Sequence, residues 1–400
     1  MKRHYLATAL SCLLLLALAF CVYSFMQEGR IQGSIKVGFL FENDEATPYT
    51  YNFSLARDAL ERAYPDRVEI LTLSNVLSSE TVEPIRNLVR QGCRIVFSNG
   101  SSDQVLSLAA LYPDVTFCQA SYFDTTGVAL PENYHSFKGA IHEGRYVSGV
   151  AAGMKLRELL DSGALTPEEA RVGYVGAFPY PEVISGYTAF LLGVRSVAPE
   201  ARMWVRYANT WSNFSMEKET AEQLIADGCV VLSYDTDTIG PVVACEEADH
   251  PVYVVGYNMS MMDIAPNSAL LSVRINWAPY ALSAVKAVLD GRRIERAVSG
   301  RVHGNDVCAG FDRGWVELVE LNTTAAAPGT QEKLDETIQG IIKGSVRVFQ
   351  GDYIGVNPED PTDVIDLREG YTECETSSYP TFRWILKDVI SFGEDRAAAA

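Results

Sequence analysis

The sequence predicts an α/β protein built as two doubly wound, parallel-sheet lobes with a ligand cleft between them. Three features carry that prediction. From residue 35 onward, short runs rich in β-branched and aromatic residues alternate with stretches of helical length and period. The apolar runs are continuous, as expected for parallel strands covered on both faces. The whole series then occurs a second time, with a helix between the two copies.

In chain order, the first copy reads as strands at 36–41, 68–73, 94–98 and 115–120. Helices near 51–64, 80–91 and 103–111 separate them, and the series ends near 134–140. A helix at about 142–160, carrying Gly149 and Gly153, leads into the second copy. Its strands are 171–177, 203–207, 230–233 and 252–256, with helices near 181–197, 216–226 and 238–248. A strand at 270–275 and a helix at 280–289 follow. The expected lobes are 32–138 with about 271–320, and 139–270 with about 321–392. Residues 393–400 end in alanines and read as a disordered tail. In open parallel sheets a ligand sits beyond the carboxyl ends of the strands, so two facing lobes line one cleft.

Residues 1–31 differ from the rest. Lys2 and Arg3 precede a nearly unbroken apolar run at 6–25, the pattern of an export signal or an N-terminal anchor. Leu18-Ala19-Phe20-Cys21 resembles a lipoprotein attachment box with Cys21 as the lipidated residue, although Phe20 is larger than such boxes place there. Tethering is therefore the firmer expectation than cleavage, which puts the protein on the extracytoplasmic face of the cell membrane.

The formal net charge of -18 disfavours binding to nucleic acid or to anionic lipid. Among the cysteines there is no CxxC pair and no Cys/His cluster, so no metal site is expected. Cys93, Cys118, Cys229 and Cys245 read as buried thiols, whereas Cys308 and Cys374 lie in loop-rich sequence and could pair after export. The sequence has no GxxxxGK[ST] phosphate loop, no GxGxxG after the first strand, no GxSxG elbow and no HExxH. No cofactor and no catalytic constellation is expected.

The segments just after the strands are rich in aromatics, amides, hydroxyls and carboxylates. They hold Tyr49, Tyr51 and Asn52, then Asn99, then Tyr122 in the first copy. The second copy gives Phe178, Trp211, Asp235, Asp237, Asn258 and Trp277. Aromatic faces beside amides and carboxylates suit a flat, hydroxylated ligand.

The run Gly173 to Ile184, with its Phe178-Pro179-Tyr180-Pro181-Glu182-Val183 core, resembles the basic membrane protein family of ABC-transporter substrate-binding lipoproteins, which includes purine nucleoside receptors. Asn209-Thr210-Trp211, Asp235-Thr236-Asp237, Gly256-Tyr257-Asn258 and the segment 272–280 match in order, as do Tyr49-Thr50-Tyr51 and Glu143 to Gly149. The resemblance implies a type I periplasmic-binding-protein fold, a nucleoside in the cleft, and an ABC permease with its ATPase as partners. It makes Tyr49 and Phe178 stacking aromatics, and Asn52, Asn99 and Asp235 polar contacts. Asn258 stands where the family usually has an Asp that grips ribose hydroxyls, and Ile275 where nucleoside receptors often have a Lys. Two other functions would use the same cleft: a sensory receptor coupled to a membrane partner, and a nucleoside hydrolase acting through Asp235 and Asp237.

Overall fold

A computed structural model describes residues 30–392. The apolar run at 6–25, Cys21 and the tail 393–400 lie outside the described residues.

The first lobe alternates strand and helix from the start: β1 (Ile35–Leu40), α1 (Pro48–Ala63), β2 (Val68–Leu73), α2 (Val82–Arg90), β3 (Cys93–Ser98), α3 (Asp103–Leu111), β4 (Thr116–Ala120) and β5 (Tyr134–Gly139). Local chemistry sets the ends. Pro48 opens α1, where its missing N–H is no loss, and the Ser102 hydroxyl caps α3 by accepting from the Gln104 amide. Every residue of β5 is buried, although its sequence, Tyr-His-Ser-Phe-Lys-Gly, has no apolar run to announce a strand.

The second lobe begins with α4 (Ile141–Asp161) and continues through β6 (Arg171–Gly176), α5 (Pro181–Arg195), β7 (Arg202–Tyr207), α6 (Phe214–Ala226), β8 (Val231–Tyr234), α7 (Gly240–Glu246), β9 (Tyr253–Tyr257) and β10 (Ala269–Ile275). The chain then returns to the first lobe as α8 (Ala278–Leu289), β11 (Arg301–His303) and β12 (Asp306–Ala309). It crosses once more to β13 (Val316–Val319) and α9 (Thr330–Ile342), and ends with the hairpin β14 (Ile354–Val356), β15 (Val364–Asp366) and the strand β16 (Ile390–Phe392).

Two seven-stranded sheets result among the described residues. Their orders are β11-β12-β5-β4-β3-β1-β2 and β13-β10-β9-β8-β6-β7-β16. Five strands of each repeat one arrangement, β2-β1-β3-β4-β5 and β7-β6-β8-β9-β10, all parallel. This is the doubly wound α/β fold of the periplasmic-binding-protein type, with the order reversing between β1 and β3 and between β6 and β8.

Sheet membership differs from the lobe limits read from the sequence in one place. The sequence places about 271–320 in the first lobe, yet β10 pairs in parallel with β9, and β13 pairs antiparallel with β10, both inside the second sheet. An apolar run announces a buried strand but not which sheet receives it. Crossovers therefore fall at 139–141, 275–278 and 309–316.

The α4–α5 pair depends on two glycines. A Cβ at Gly149 would lie 2.1 Å from the Phe190 carbonyl oxygen, and one at Gly193 would lie 1.9 Å from that of Tyr146. Only glycine lets these two backbones approach so closely, and α5 is buried along most of its length between α4 and β6. Each lobe core includes a group of packed aromatics: Phe39, Phe53, Phe97, Phe137 and Tyr280 in one, Tyr174, Tyr187 and Phe190 in the other. No helix of the described residues is long and apolar enough to cross a membrane.

Candidate functional site

The carboxyl ends of the central strands of both sheets open onto one cleft of about 450 Å³. Its floor lies at the two points where strand order reverses, where splayed loops leave room for a ligand.

From the first lobe come Glu42, Tyr49, Asn99, Ser121 and Lys138. Asn99 follows β3 and is buried. Its Oδ1 accepts from the Glu42 backbone N–H (2.9 Å), and its carbonyl accepts from the Tyr49 hydroxyl (3.1 Å). Its Nδ2 donor has no partner, and neither does the Ser121 hydroxyl. Glu42 accepts from the Ser78 hydroxyl at 2.6 Å, which fixes the rim.

From the second lobe come Arg145, Tyr174, Glu182, Trp211, Asp235, Asp237 and Tyr257. Asp235 Oδ1 accepts from the Ala177 N–H at 3.0 Å. Burial pushes its carboxyl up to about 7, opposed by the Arg145 guanidinium and by that hydrogen bond. Burial raises Asp237 well above the usual carboxylate range, and the neighbouring Glu217 and Glu42 add to the effect. The Arg145 guanidinium is buried 3.9 Å from the centre of the Tyr257 ring and donates to the Tyr234 carbonyl at 2.8 Å. Trp277, on the crossover before α8, stands edge-on to Tyr49 with centroids 6.4 Å apart, and its indole N–H has no partner. Lys138 and Glu182 form an ion pair across the cleft.

Six of the eleven residues singled out from sequence therefore line the cavity: Tyr49, Asn99, Trp211, Asp235, Asp237 and Trp277. The other five lie elsewhere. Phe178 stacks on Tyr180 (5.3 Å) and leans on Trp211 (5.9 Å), forming an aromatic rim behind the lining. Tyr51 is 40% exposed on the outer turn of α1. Tyr122 packs edge-on against Phe123. Asn52 and Asn258 join the lobes: Asn52 Nδ2 donates to Asn258 Oδ1 (3.3 Å) and to the Ile275 carbonyl (3.0 Å). Asn258 holds φ 69°, a left-handed conformation that asparagine tolerates better than most residues.

The sequence reading does not place Lys138, Arg145 or Tyr174 in the site, and it carries Glu182 only as part of the motif at 178–183. Arg145 did carry a signal, because an arginine between Gly144 and Gly149 on a helix of small residues has little surface to occupy except a buried one. Lys138 carried none, since β5 does not read as a strand. No group of three or more His, Cys, Asp or Glu residues able to hold a metal occurs among the described residues. Cys308 and Cys374 are both buried free thiols and touch one another beside Ala140.

Comparison with known proteins places this geometry. The profile of a family described as "ABC transporter substrate-binding protein PnrA-like" matches residues 43–347. A purine-binding protein of Brucella abortus (strain 2308) is 31% identical over 337 residues, covering 82% of this chain and 88% of that protein. A putative ABC transporter glucose-binding protein of Haloferax volcanii is 31% identical over 238 residues, 59% of this chain and 56% of that one. Among solved structures, an ABC transporter solute-binding protein of Aeropyrum pernix K1 superposes with a TM-score of 0.61 at 18% identity, covering 78% of this chain and 92% of that one.

Proposed function

The chain belongs to the PnrA-like family of ABC transporter substrate-binding proteins, and on that premise we propose that it captures a nucleoside in the interlobe cleft and delivers it to an ABC permease driven by its ATPase. The family works on the extracytoplasmic side of the membrane. On this reading the apolar N-terminal segment, with Cys21, tethers the protein there. Full-length protein is then expected to fractionate with membranes, and a chain starting at Gln32 to be soluble. A full-length chain recovered free of membrane with its N-terminus intact would refute the tether.

The observation that carries the ligand reading is the mixture of groups in one cavity. Aromatic faces (Tyr49, Trp211, Tyr257), unpartnered buried donors (Asn99 Nδ2, Trp277 Nε1) and two buried carboxylates (Asp235, Asp237) line the same space. Rings stack on a planar base, buried donors need acceptors such as ring nitrogens or a carbonyl, and carboxylates accept from sugar hydroxyls. A cleft of about 450 Å³ is of the size that encloses a nucleoside. The purine-binding relative supports a purine base. In this chain Asn258 is turned toward Asn52, so ribose recognition falls to Asp235 and Asp237.

The test is a thermal-shift screen followed by calorimetry across purine nucleosides, pyrimidine nucleosides, free bases, glucose and short peptides. Purine nucleosides are expected to raise the melting temperature most. A response to glucose and none to nucleosides would refute the reading. The raised carboxylates also bear on a hydrolase, and chromatography of nucleoside incubated with the protein decides that: release of free base would make the cleft catalytic.

A further inference from the structure

Beyond α9 the chain forms a strap, residues 344–392, most of it past the family-matched residues 43–347. The strap starts on the second lobe, reaches over to the first, and returns to pair β16 in parallel with β7 of the second sheet. Where it touches the first lobe it is held by a buried joint. Asp306 Oδ2, on β12, accepts from the Ser378 N–H (2.6 Å) and from the Thr125 hydroxyl (2.7 Å). His303 approaches the Cys374 carbonyl at 3.3 Å. Tyr379 lies 5.8 Å from the ammonium of Lys138, a lining residue of the cleft.

At the centre of the joint two sulfurs meet. Cys308, on β12, is 0% exposed and Cys374, on the strap, is 3% exposed; with Ala140 they form a small buried cluster of their own. The Cys374 thiol is within hydrogen-bonding reach of Cys308, and that contact together with burial raises its pKa well above the usual thiol value. Cys374 also holds φ 57°, a left-handed conformation uncommon for a side-chain-bearing residue, which the surrounding contacts keep in place. The other four described cysteines lie in the lobe cores; Cys118, for example, is contacted by the Tyr280 hydroxyl at 3.6 Å.

We propose that Cys308 and Cys374 form a disulfide once the protein is outside the cytoplasm, stapling the C-terminal strap to the sheet of the first lobe. The proposal rests on the extracytoplasmic location of the family and is independent of the nature of the ligand. The two thiols give up two protons and two electrons and gain one S–S bond. An external disulfide of the glutathione type is reduced to two thiols in exchange. Because β16 anchors the other end of the strap to the second lobe, the bond would add a covalent tie across the lobes, close to the Lys138 side of the cleft.

The experiment equilibrates the full chain with oxidised and reduced glutathione, alkylates remaining thiols under denaturing conditions, and maps peptides by mass spectrometry without reduction. The expected result is one linked pair, Cys308 with Cys374, and alkylated thiols at Cys93, Cys118, Cys229 and Cys245. Recovery of both Cys308 and Cys374 as alkylated thiols, or bonded to other cysteines, overturns the proposal. Melting of the parent protein is then compared with and without reductant, beside Cys374→Ala. The parent is expected to melt lower when reduced and the variant to be indifferent to reductant. Identical melting of oxidised and reduced parent would overturn the role of the bond as a staple.

Discussion

Replacing Asp235 by Asn separates binding from folding at the cleft. The substitution keeps the size of the side chain and an oxygen to accept from the Ala177 N–H, and replaces the other oxygen and the charge by an amide NH2 that can only donate. In the folded protein burial moves this carboxyl from the ordinary 3.8 to about 7. A raised carboxyl pKa contributes stability fully below pH 3.8, and that contribution is lost as pH rises to about 7. At ~1.4 kcal/mol per pH unit the ionised group costs folding on the order of 4 kcal/mol above pH 7. An asparagine is still a buried polar group, so only part of that is recovered, about 1–2 kcal/mol. For binding, the lost interaction is a hydrogen bond from a ligand hydroxyl to a charged acceptor, worth about 1.5–3 kcal/mol. At ~1.4 kcal/mol per decade, Kd is expected to rise roughly 10- to 100-fold. Thermal melting of the free protein and isothermal calorimetry with a purine nucleoside, both at pH 8, read the two effects. The expected pattern is a higher Tm together with a weaker Kd. A lower Tm with unchanged affinity would mean that Asp235 is a structural acceptor for the loop after β6, and the ribose assignment would fall.

Three further outcomes follow from the same geometry. Affinity for the nucleoside should increase as pH rises through about 7, because the ionised Asp235 is the better acceptor, with proton release on binding; an affinity flat from pH 5.5 to 8.5, or falling with pH, would contradict this. Trp277→Phe removes the unpartnered indole donor while keeping a ring among Phe53 and Phe137, and should weaken binding by about 1 kcal/mol, roughly fivefold, whereas Phe178→Ala, outside the lining, should change Kd less; the reverse order in calorimetry would move the cleft toward the rim. Gly193→Ala should destabilise the second lobe by several kcal/mol, because its Cβ would meet the Tyr146 carbonyl oxygen at 1.9 Å, and a denaturant midpoint equal to that of the parent would refute the close helix crossing.

Much of the architecture is legible in the sequence. Strand periodicity and helix punctuation are local properties, and β2, β3 and β10 fall within a residue of the runs read from sequence. The strand β5 escaped because it is buried by its neighbours, not by its own hydrophobicity. Its His135 and Lys138 are held by Glu295 and Glu182, partners that are distant in sequence. The chemistry of the cleft was legible as a class, since aromatics and amides gather after the strands. Individual membership was not. Phe178 and Trp211 look alike as aromatics after strands, yet only Trp211 reaches the cavity wall.

By itself the sequence determined two α/β units, their doubly wound character and a polar, aromatic set of residues after the strands, because each of these depends on residue pattern along a few turns of chain. The tertiary structure alone decided which sheet receives β10 and β13, that Asn52 and Asn258 bind each other across the lobes, and that Lys138 and Glu182 pair across the cleft. For Cys308 and Cys374, about 65 residues apart, the sequence offered a possible pairing, and the fold brings the two thiols into one buried cluster. All of these are meetings between segments remote in sequence. They are set by how whole sheets and helices pack, and no local pattern encodes them.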